Sequence, residues 1–336
     1  MDPIVVTTLD DGLAIPGERS LRTALAVAED GDIITFEEGL SGTIFLTDGE
    51  RLLIDTAVKI YGDGDITISG DVAMDDIDDN GVTRLQQTID AGRMSDNVQV
   101  FYITTNDEVT LDGLTISGGR GADGDYSGAI DAFNSNLTIS NSTISGNISY
   151  GADGNGGGAV WTSGSLTIED STLSYNQALN DHGGAIFASG LDTTATITDS
   201  RIHDNSADLN GGGIFAQGAA IIATNSQIFE NSASGSGGGI AAADAASSVT
   251  LTGVQLGANV AEGGSGGGID AEGAVILTDT TLNANRALGF LGSPGGGGIR
   301  SESSLTATNV TIVNNYAGNA GGDTFVGVGG GISAAG

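Results

Sequence analysis

An acidic segment at residues 76–82 has the oxygen-rich spacing of a calcium loop. It follows the pattern D-x-D-x-N-G, and the expected ligands are the side chains of Asp76, Asp78 and Asn80 and the backbone carbonyl of Val82. Hard divalent cations take carboxylate and carbonyl oxygens, and the glycine permits a tight turn. Gln87 stands where a bidentate glutamate closes such a loop. The segment therefore predicts a Ca²⁺ site, and the alternative is a solvated acidic insertion.

A second candidate group consists of an arginine, a histidine and an aspartate between residues 201 and 204. Arg201 and His203 are two residues apart, so in a strand their side chains share a face, and Asp204 follows directly. A polysaccharide lyase needs a base and a cation that neutralises a uronate carboxylate. Arg201, His203 and Asp204 are therefore catalytic candidates for a polysaccharide-active enzyme. The alternative is that they are ordinary residues on a solvated face.

A third grouping is aromatic. Trp161, Phe187 and Phe215 each follow an aliphatic residue that is expected to point inward. Alternation along a strand then points the three rings outward, on consecutive turns of a repeating structure. Such a row is a candidate ligand-binding patch for a sugar, which Tyr126 and Tyr150 extend. The alternative is that the rings only stabilise the sheet by stacking between strands.

A repeat between about residue 128 and residue 332 positions these groups. Each copy contains a glycine cluster, then an aliphatic residue, and ends with a lone asparagine, with a period of roughly 26 to 33 residues. The aliphatic residues are Ile130, Val160, Ile186, Ile214, Ile240, Ile269, Ile299 and Ile332. The asparagines are Asn147, Asn176, Asn205, Asn231, Asn259, Asn285 and Asn315. A period in this range indicates a solenoid, which buries its core by stacking one unit on the next.

The pattern inside one copy selects the kind of solenoid. Apolar residues come in three short alternating bursts between Gly156 and Asn176, separated by Gly, Ser, Asp and Asn. Alternation over three to five residues is typical of strands, and the separating residues are typical of turns. Three short strands per turn predict an all-β, right-handed parallel β-helix of about ten or eleven coils. We expect the asparagines to point inward and to donate their amides from coil to coil. The glycines should supply positive φ or close approach.

A row of acidic residues precedes the glycine clusters. Its members are Asp123, Asp125, Asp153, Asp181, Asp208 and Glu262. Like charges stacked at coil spacing repel each other unless they are screened or bridged. The row is therefore either a set of weak divalent-cation sites or a charged edge that keeps the rod soluble and blocks lateral pairing.

The two ends of the rod differ. Ser20 is a plausible N-cap for a short amphipathic helix whose apolar residues are spaced i, i+3, i+4 and i+7, and Gly31 is expected to end it. We expect residues 1–50 to form an N-terminal cap and first coil, and residues 51–336 to form one continuous β-helix. The last residues begin a new coil without a cap, which predicts further repeats or self-association at that end.

Composition narrows the function classes. The formal net charge is −33, with only 10 basic residues. Nucleic-acid binding needs a basic face, and docking on anionic membranes needs basic clusters, so neither is expected. No apolar stretch approaches the length of a membrane span, and no signal peptide is visible at the start. The absence of cysteine is compatible with secretion without disulfides.

Two resemblances follow from these motifs. The copies begin G-G-[AI]-I and end [IL]-x-x-N, as in Ile202 to Asn205, which resembles the repeat of polymorphic outer-membrane adhesins. The N-terminal third resembles the cap domain named for its Cys-Ser-Leu-Arg-Glu-Ala signature, through Ser20-Leu21-Arg22-Thr23-Ala24-Leu25 and the later Leu111-Asp112-Gly113-Leu114-Thr115-Ile116-Ser117-Gly118-Gly119. Here the cysteine is absent and Thr23 replaces the glutamate. The resemblances imply a secreted or surface-attached bacterial protein.

These observations favour a non-catalytic extracellular or cell-surface module. It would act as a stalk or adhesin, contact a polysaccharide or cell-surface glycan, and be stabilised by Ca²⁺. The alternative is a lyase, hydrolase or epimerase that acts on an anionic polymer in a groove along the rod, and a third option is a purely structural spacer with no ligand.

Overall fold

The computed structural model describes residues 2–12, 16–72, 97–121, 125–151, 154–289, 295–318 and 330–334. These residues form a right-handed parallel β-helix of about ten turns with one short helix, which confirms the predicted fold class. The calcium-loop residues Asp76, Asp78, Asn80 and Val82 lie outside the described residues, so the metal site there stays a prediction.

The elements follow one another in a regular order. The N-terminal part contains β1 (Ile4–Val6), α1 (Leu21–Leu25), β2 (Asp32–Phe36), β3 (Gly42–Phe45), β4 (Leu52–Ile54), β5 (Val58–Ser69), β6 (Phe101–Ile103), β7 (Glu108–Ser117) and β8 (Arg120–Gly121). The next coils contain β9 (Ile130–Ala132), β10 (Asn136–Ser140), β11 (Thr143–Ser145), β12 (Ile148–Tyr150), β13 (Val160–Thr162), β14 (Ser165–Glu169), β15 (Thr172–Ser174), β16 (Gln177–Leu179), β17 (Ile186–Ser189), β18 (Thr194–Thr198), β19 (Arg201–His203), β20 (Ser206–Ala207), β21 (Ile214–Gln217), β22 (Ala220–Thr224), β23 (Gln227–Phe229) and β24 (Ser232–Ala233). The last coils contain β25 (Ile240–Ala242), β26 (Ser248–Thr252), β27 (Gln255–Gly257), β28 (Val260–Ala261), β29 (Ile269–Ala271), β30 (Ala274–Thr278), β31 (Thr281–Asn283), β32 (Arg286–Ala287), β33 (Ile299–Ser301), β34 (Leu305–Thr308), β35 (Thr311–Val313), β36 (Tyr316–Ala317) and β37 (Ile332–Ala334).

The described strands form three parallel sheets along the rod. Sheet 1 takes two strands from each typical coil, a long one such as β14 and a short one such as β15. Asp170, with φ of 47°, makes the bend between them. Sheet 2 consists of β8, β12, β16, β20, β24, β28, β32 and β36, and sheet 3 consists of β4, β6, β9, β13, β17, β21, β25, β29, β33 and β37. The sequence bursts predict the strands of sheets 1 and 3, whereas the strands of sheet 2 were missed.

One continuous hydrophobic core fills the interior of the rod. In sheet 3, Ile186, Ile214, Ile240 and Ile269 lie opposite one another on successive strands, and each is 0% exposed. Burial of one such side chain contributes about 1.5–3 kcal/mol. The predicted inward row of aliphatic residues is therefore confirmed from Ile130 to Ile299, whereas Ile332, in the last described strand, is 40% exposed.

The recurring asparagines form a buried hydrogen-bonded ladder. The Nδ2 of Asn205 donates to the Oδ1 of Asn231 at 3.0 Å, and the backbone N–H of Asn205 donates to the same oxygen at 3.1 Å. The Nδ2 of Asn231 donates in turn to Asn259 at 3.0 Å. Inward orientation and amide donation from coil to coil are thus confirmed. The left-handed backbone lies one residue earlier, at Asp204 and Glu230.

The glycine clusters provide both properties expected of them. Gly211 has φ of 72°, a conformation that side chains disfavour. A Cβ added to Gly212 would lie 2.4 Å from the carbonyl oxygen of Gly238, so the neighbouring coils approach too closely for any side chain. These close contacts hold the loops before sheet 3 against one another.

The N-terminal helix lies on the first coils. The Oγ of Ser20 accepts a hydrogen bond from the backbone N–H of Thr23 at 3.2 Å, which confirms Ser20 as the N-cap. Leu21, Ala24 and Leu25 are buried against the core. The helix ends at Leu25 with Ala26 as its C-cap, earlier than the position of Gly31 suggested. Gly31 lies directly before β2, and its N–H donates to the carbonyl of Ala57 at 2.8 Å.

Candidate functional site

The aromatic row Trp161, Phe187 and Phe215 lies on the outer side of sheet 3. The three residues pair directly across β13, β17 and β21, and they form a cluster separate from the core, as alternation predicts. Their exposed fractions are 7%, 1% and 3%, however, so the expected open patch is not present. Ligand binding by these three rings stays a prediction. A ligand that reached them would have to displace the loops that cover them.

Loops from sheet 2 to sheet 3 provide that cover. The ring of Tyr126 stacks on Trp161 with a centroid distance of 4.5 Å, and the imidazole of His182 stacks on Phe215 at 4.0 Å. The Nδ1 of His182 accepts a hydrogen bond from the backbone N–H of Asn210 at 3.1 Å. Burial lowers the pKa of His182 to about 4, so the ring is neutral at physiological pH.

The acidic edge includes residues that anchor these loops. Asp181 is 0% exposed, and its carboxylate accepts the backbone N–H groups of Gly151 at 2.8 Å and Gly156 at 3.1 Å. Asp125 pairs with Arg51, and Asp208 accepts the N–H of Asn180 at 2.9 Å. In the part of the chain that the structure describes, no group of three or more His, Asp or Glu side chains has the geometry of a metal site. Divalent binding along this edge stays a prediction.

Arg201 and His203 lie on the outer face of β19, a short strand of sheet 1, and Asp204 follows the strand directly. Ile202 between them is buried, so Arg201 and His203 share a face as predicted. The Nδ1 of His203 lies 2.7 Å from the Oδ2 of Asp204. The carboxylate of Asp204 raises the pKa of Tyr175, one coil earlier, so this phenol keeps its proton. The second histidine, His182, does not belong to this group, because it lies in a loop before sheet 3 and stacks on Phe215.

A cleft lies beside this group on the same face. Its volume is about 310 Å³, and its lining includes Gln227, Phe229, Gln255, Leu256, Gly257, Thr281 and Asn283. Two outward rows cross it from coil to coil. One row runs Arg201, Gln227, Gln255, Thr281, and the other runs His203, Phe229, Gly257, Asn283. The cleft opens where Gly257 provides no side chain between Phe229 and Asn283.

The glycine at position 257 is not required by the backbone. Its φ lies outside the left-handed region, and an added Cβ would meet only the carbonyl oxygen of Asn283, at 3.4 Å. Two coils further on, the equivalent position holds Val313. A side chain is therefore sterically permitted at 257, and its absence leaves the space.

Aromatic and amide groups face this space. The Phe229 ring stacks on the His203 ring with a centroid distance of 4.7 Å and an angle of 12°. Since His203 is on one side of Phe229 in the row, the other face of the ring is directed toward Gly257. Gln255 and Asn283 are exposed. The Oδ1 of Asn283 accepts a hydrogen bond from the Nδ2 of Asn314 at 3.1 Å, so Asn283 offers its N–H groups as donors, while Gln255 offers both a donor and an acceptor. This combination suits a ligand with an apolar face and hydroxyl groups.

Sequence reasoning missed Phe229, Gly257 and the two glutamines. The signal was the same alternation that placed His203 outward, because Ile228 and Leu256 are inward in the neighbouring strands. What the sequence lacks is the register, which aligns Gly257 between Phe229 and Asn283. A glycine has no side chain that could indicate a site, so the sequence alone does not show that Gly257 leaves a space.

Comparison with known proteins gives the family. No curated protein matches the chain. The crystal structure of PfbA, a surface adhesin of Streptococcus pneumoniae, is similar over 89% of this chain and 88% of that chain, with 14% identity and a TM-score of 0.32. The more specific resemblances of the cap and of the repeat stay predictions. The family described as the right-handed beta helix region matches residues 86–256 and 157–336, and the chain belongs to it.

Proposed function

We propose that this protein is a non-catalytic extracellular or cell-surface β-helix module, a stalk or adhesin, that binds glycan chains at the cleft beside Gly257. The observation that carries the proposal is the open space between Phe229 and Asn283, with an aromatic face on one side and amides around it. Sugar rings place C–H groups against aromatic faces and share hydrogen bonds between hydroxyls and amides. The resemblance to secreted β-helix proteins supports the extracellular location.

The rest of the surface is compatible with such a role. The net charge of −33 opposes binding to nucleic acids and to anionic membranes. No helix in the described ranges has the length and apolar character needed to cross a bilayer. Within a rod of stacked coils, a site on one short-strand face leaves both ends available for other contacts, which fits a stalk.

A glycan-binding experiment tests the proposal. Wild-type protein is compared with Gly257→Val, which fills the cleft, and with Thr167→Val, which places a valine on the outer face of β14 by exchanging a hydroxyl for a methyl group. Binding to at least one polysaccharide of a broad panel, lost in Gly257→Val and kept in Thr167→Val, is the expected result. Absence of binding across the panel by a folded sample would contradict the proposal.

Calcium stabilisation is a separate part of the proposal, based on the sequence of residues 76–82. Its carboxylates and its D-x-D-x-N-G spacing suit a hard cation. We expect Ca²⁺ to raise the melting temperature of the wild type, and we expect Asp78→Asn to remove that increase. Equal melting temperatures in Ca²⁺ and in EDTA would remove calcium from the account without affecting the cleft.

One observation favours the enzymatic alternative. The 2.7 Å contact between His203 Nδ1 and Asp204 fixes the imidazole and leaves Nε2 available as a proton acceptor. Arg201 on the same face provides a cation for a substrate carboxylate. A lyase, hydrolase or epimerase would then act beside the cleft. Release of unsaturated uronate or reducing ends from an anionic polymer, abolished in His203→Ala, would favour this alternative over the binding module.

A further inference from the structure

The row His203, Phe229, Gly257, Asn283 is a stack of side chains with one member missing. His203 and Phe229 stack at 4.7 Å, which matches the distance of about 4.8 Å between neighbouring strands. Phe229 and Asn283 are two strands apart, so about 9.6 Å separates their levels. A ring placed at the level of Gly257 would lie one stacking distance from each.

We propose that the ligand of this cleft is an uncharged glycan, and that one of its pyranose rings inserts at the level of Gly257 in place of the missing side chain. The inserted ring lies with its C–H face on Phe229, while its hydroxyls bond to Gln255 and Asn283. This inference rests on the proposed glycan binding and specifies its ligand class and its position.

The electrostatics of the cleft favour an uncharged ligand. None of the described residues that line it is charged, and their polar groups are amides and one hydroxyl. Glu230 follows Phe229 and is exposed, while Arg201 and the His203–Asp204 pair stand one strand beyond Gln227 and Phe229. Arg201 is the only cation among these neighbours. Its charge is outweighed by the carboxylates of Glu230 and Asp204 and by the net charge of −33. A polyuronate would meet repulsion within the Debye length of about 8 Å.

The stacking geometry favours an inserted ring over a chain laid flat on the surface. The rings of His203 and Phe229 are nearly parallel, at 12°, and they stack from one coil to the next. The plane of the Phe229 ring is therefore roughly perpendicular to the rod axis. A pyranose that follows this orientation enters the gap edge-on and makes contact on both faces, with Phe229 and with Asn283. A flat chain would meet only the edge of Phe229.

Substitutions at Gly257 separate ligand exclusion from misfolding. Gly257→Val fills the gap with a residue of high strand propensity, at a position where another coil already has valine. We therefore expect the variant to melt at the same temperature as the wild type or higher. Phe229→Leu removes the stacking face, and Thr167→Val serves as the matched control.

Calorimetric titration with two oligosaccharides of equal length tests the inference. The probes are a neutral gluco- or manno-oligosaccharide and an oligogalacturonate, each titrated at low and at high NaCl. We expect the neutral probe to bind with an affinity that salt does not change, and both Gly257→Val and Phe229→Leu to weaken it by more than about tenfold. Thr167→Val should leave it unchanged.

The outcomes distinguish this inference from the proposed function. Preference for the oligogalacturonate, with an affinity that salt weakens and that Gly257→Val abolishes, would overturn the insertion of an uncharged ring and keep glycan binding at the cleft. Neutral binding that survives Gly257→Val would place the glycan site away from the cleft and contradict both proposals. Absence of binding to any glycan of the broader panel would remove the proposed function, and ring insertion with it.

Discussion

The imidazole of His182 lies nearly parallel to the ring of Phe215, with a centroid distance of 4.0 Å and an angle of 19°. Its Nδ1 accepts the backbone N–H of Asn210, so the neutral tautomer carries its proton on Nε2. The contact joins a loop to the aromatic row on the outer side of sheet 3. The packing of this loop over the aromatic row therefore depends on an uncharged histidine.

Acidification should destabilise the protein through His182. Burial lowers its pKa to about 4 in the folded protein, against an ordinary histidine pKa of 6.5. Between these values the unfolded chain binds a proton that the folded chain does not, so the free energy of unfolding falls as the pH is lowered from about 6.5 to about 4. We expect a contribution of about 2 kcal/mol, allowing for solvent screening of the half-buried ring.

Denaturant unfolding over this pH range measures the effect. His182→Gln keeps an acceptor for Asn210 but cannot titrate, so its stability should depend less on pH than that of the wild type. His203→Gln is the matched control for the other histidine. Parallel curves for His182→Gln and wild type would show that His182 does not carry the pH dependence.

Asp131 should show the opposite pH dependence. It is 1% exposed at the Trp161 position of the preceding coil, and burial raises its pKa to about 6. Because the unfolded carboxyl ionises at lower pH, the free energy of unfolding falls as the pH rises from about 4 to about 6. Asp131→Asn can still accept the N–H of Tyr126 and should stabilise the protein by about 2 kcal/mol at neutral pH.

Thermal or denaturant unfolding at about pH 4 and about pH 7 tests this assignment. The stabilisation by Asp131→Asn should be present at the higher pH and nearly absent at the lower. Asp192→Asn, at an exposed position, should change stability little at either pH. A stabilisation of equal size at both values would show that ionisation of Asp131 is not its source.

The asparagine ladder should be sensitive in the middle of the rod. Asn231 accepts two hydrogen bonds from Asn205 and donates to the carbonyl of Ile202 and to Asn259. Asn231→Ala leaves buried donors and acceptors unpaired, at a cost of about 1–3 kcal/mol each, so a total loss of at least about 3 kcal/mol is expected. Asn136→Ala, at an exposed position in β10, should cost much less. Equal unfolding midpoints for the two variants would contradict a structural role for the ladder.

The alternation of inward and outward residues predicted most of the fold. Its prediction of exposure was wrong where a loop covers the outer side of a strand. It placed Ile214 inward and Arg201 outward correctly, because the sheet alone decides those directions. It gave the right direction for Phe187 but the wrong exposure, because the covering loop containing His182 begins in another sheet. The strands of sheet 2, such as β16 (Gln177–Leu179), contain few β-branched residues, so composition did not mark them.

The N-terminal cap supplies the last prediction, through Arg22. Its guanidinium makes a bidentate contact with Asp11 at 2.9 Å for each bond and also donates to the carbonyls of Glu50 and Arg51. Asp11 is 2% exposed, so removal of its partner leaves a buried carboxylate poorly compensated. Arg22→Lys retains the charge but loses the planar two-bond geometry, and we expect it to destabilise the cap by about 2 kcal/mol. Hydrogen exchange should show faster exchange in α1 and β1 and unchanged protection along the asparagine ladder, while Arg19→Lys, at an exposed position, should resemble the wild type. Faster exchange along the whole rod would instead show that the cap and the coils unfold as one cooperative unit, and unchanged exchange would show that Arg22 does not hold the cap.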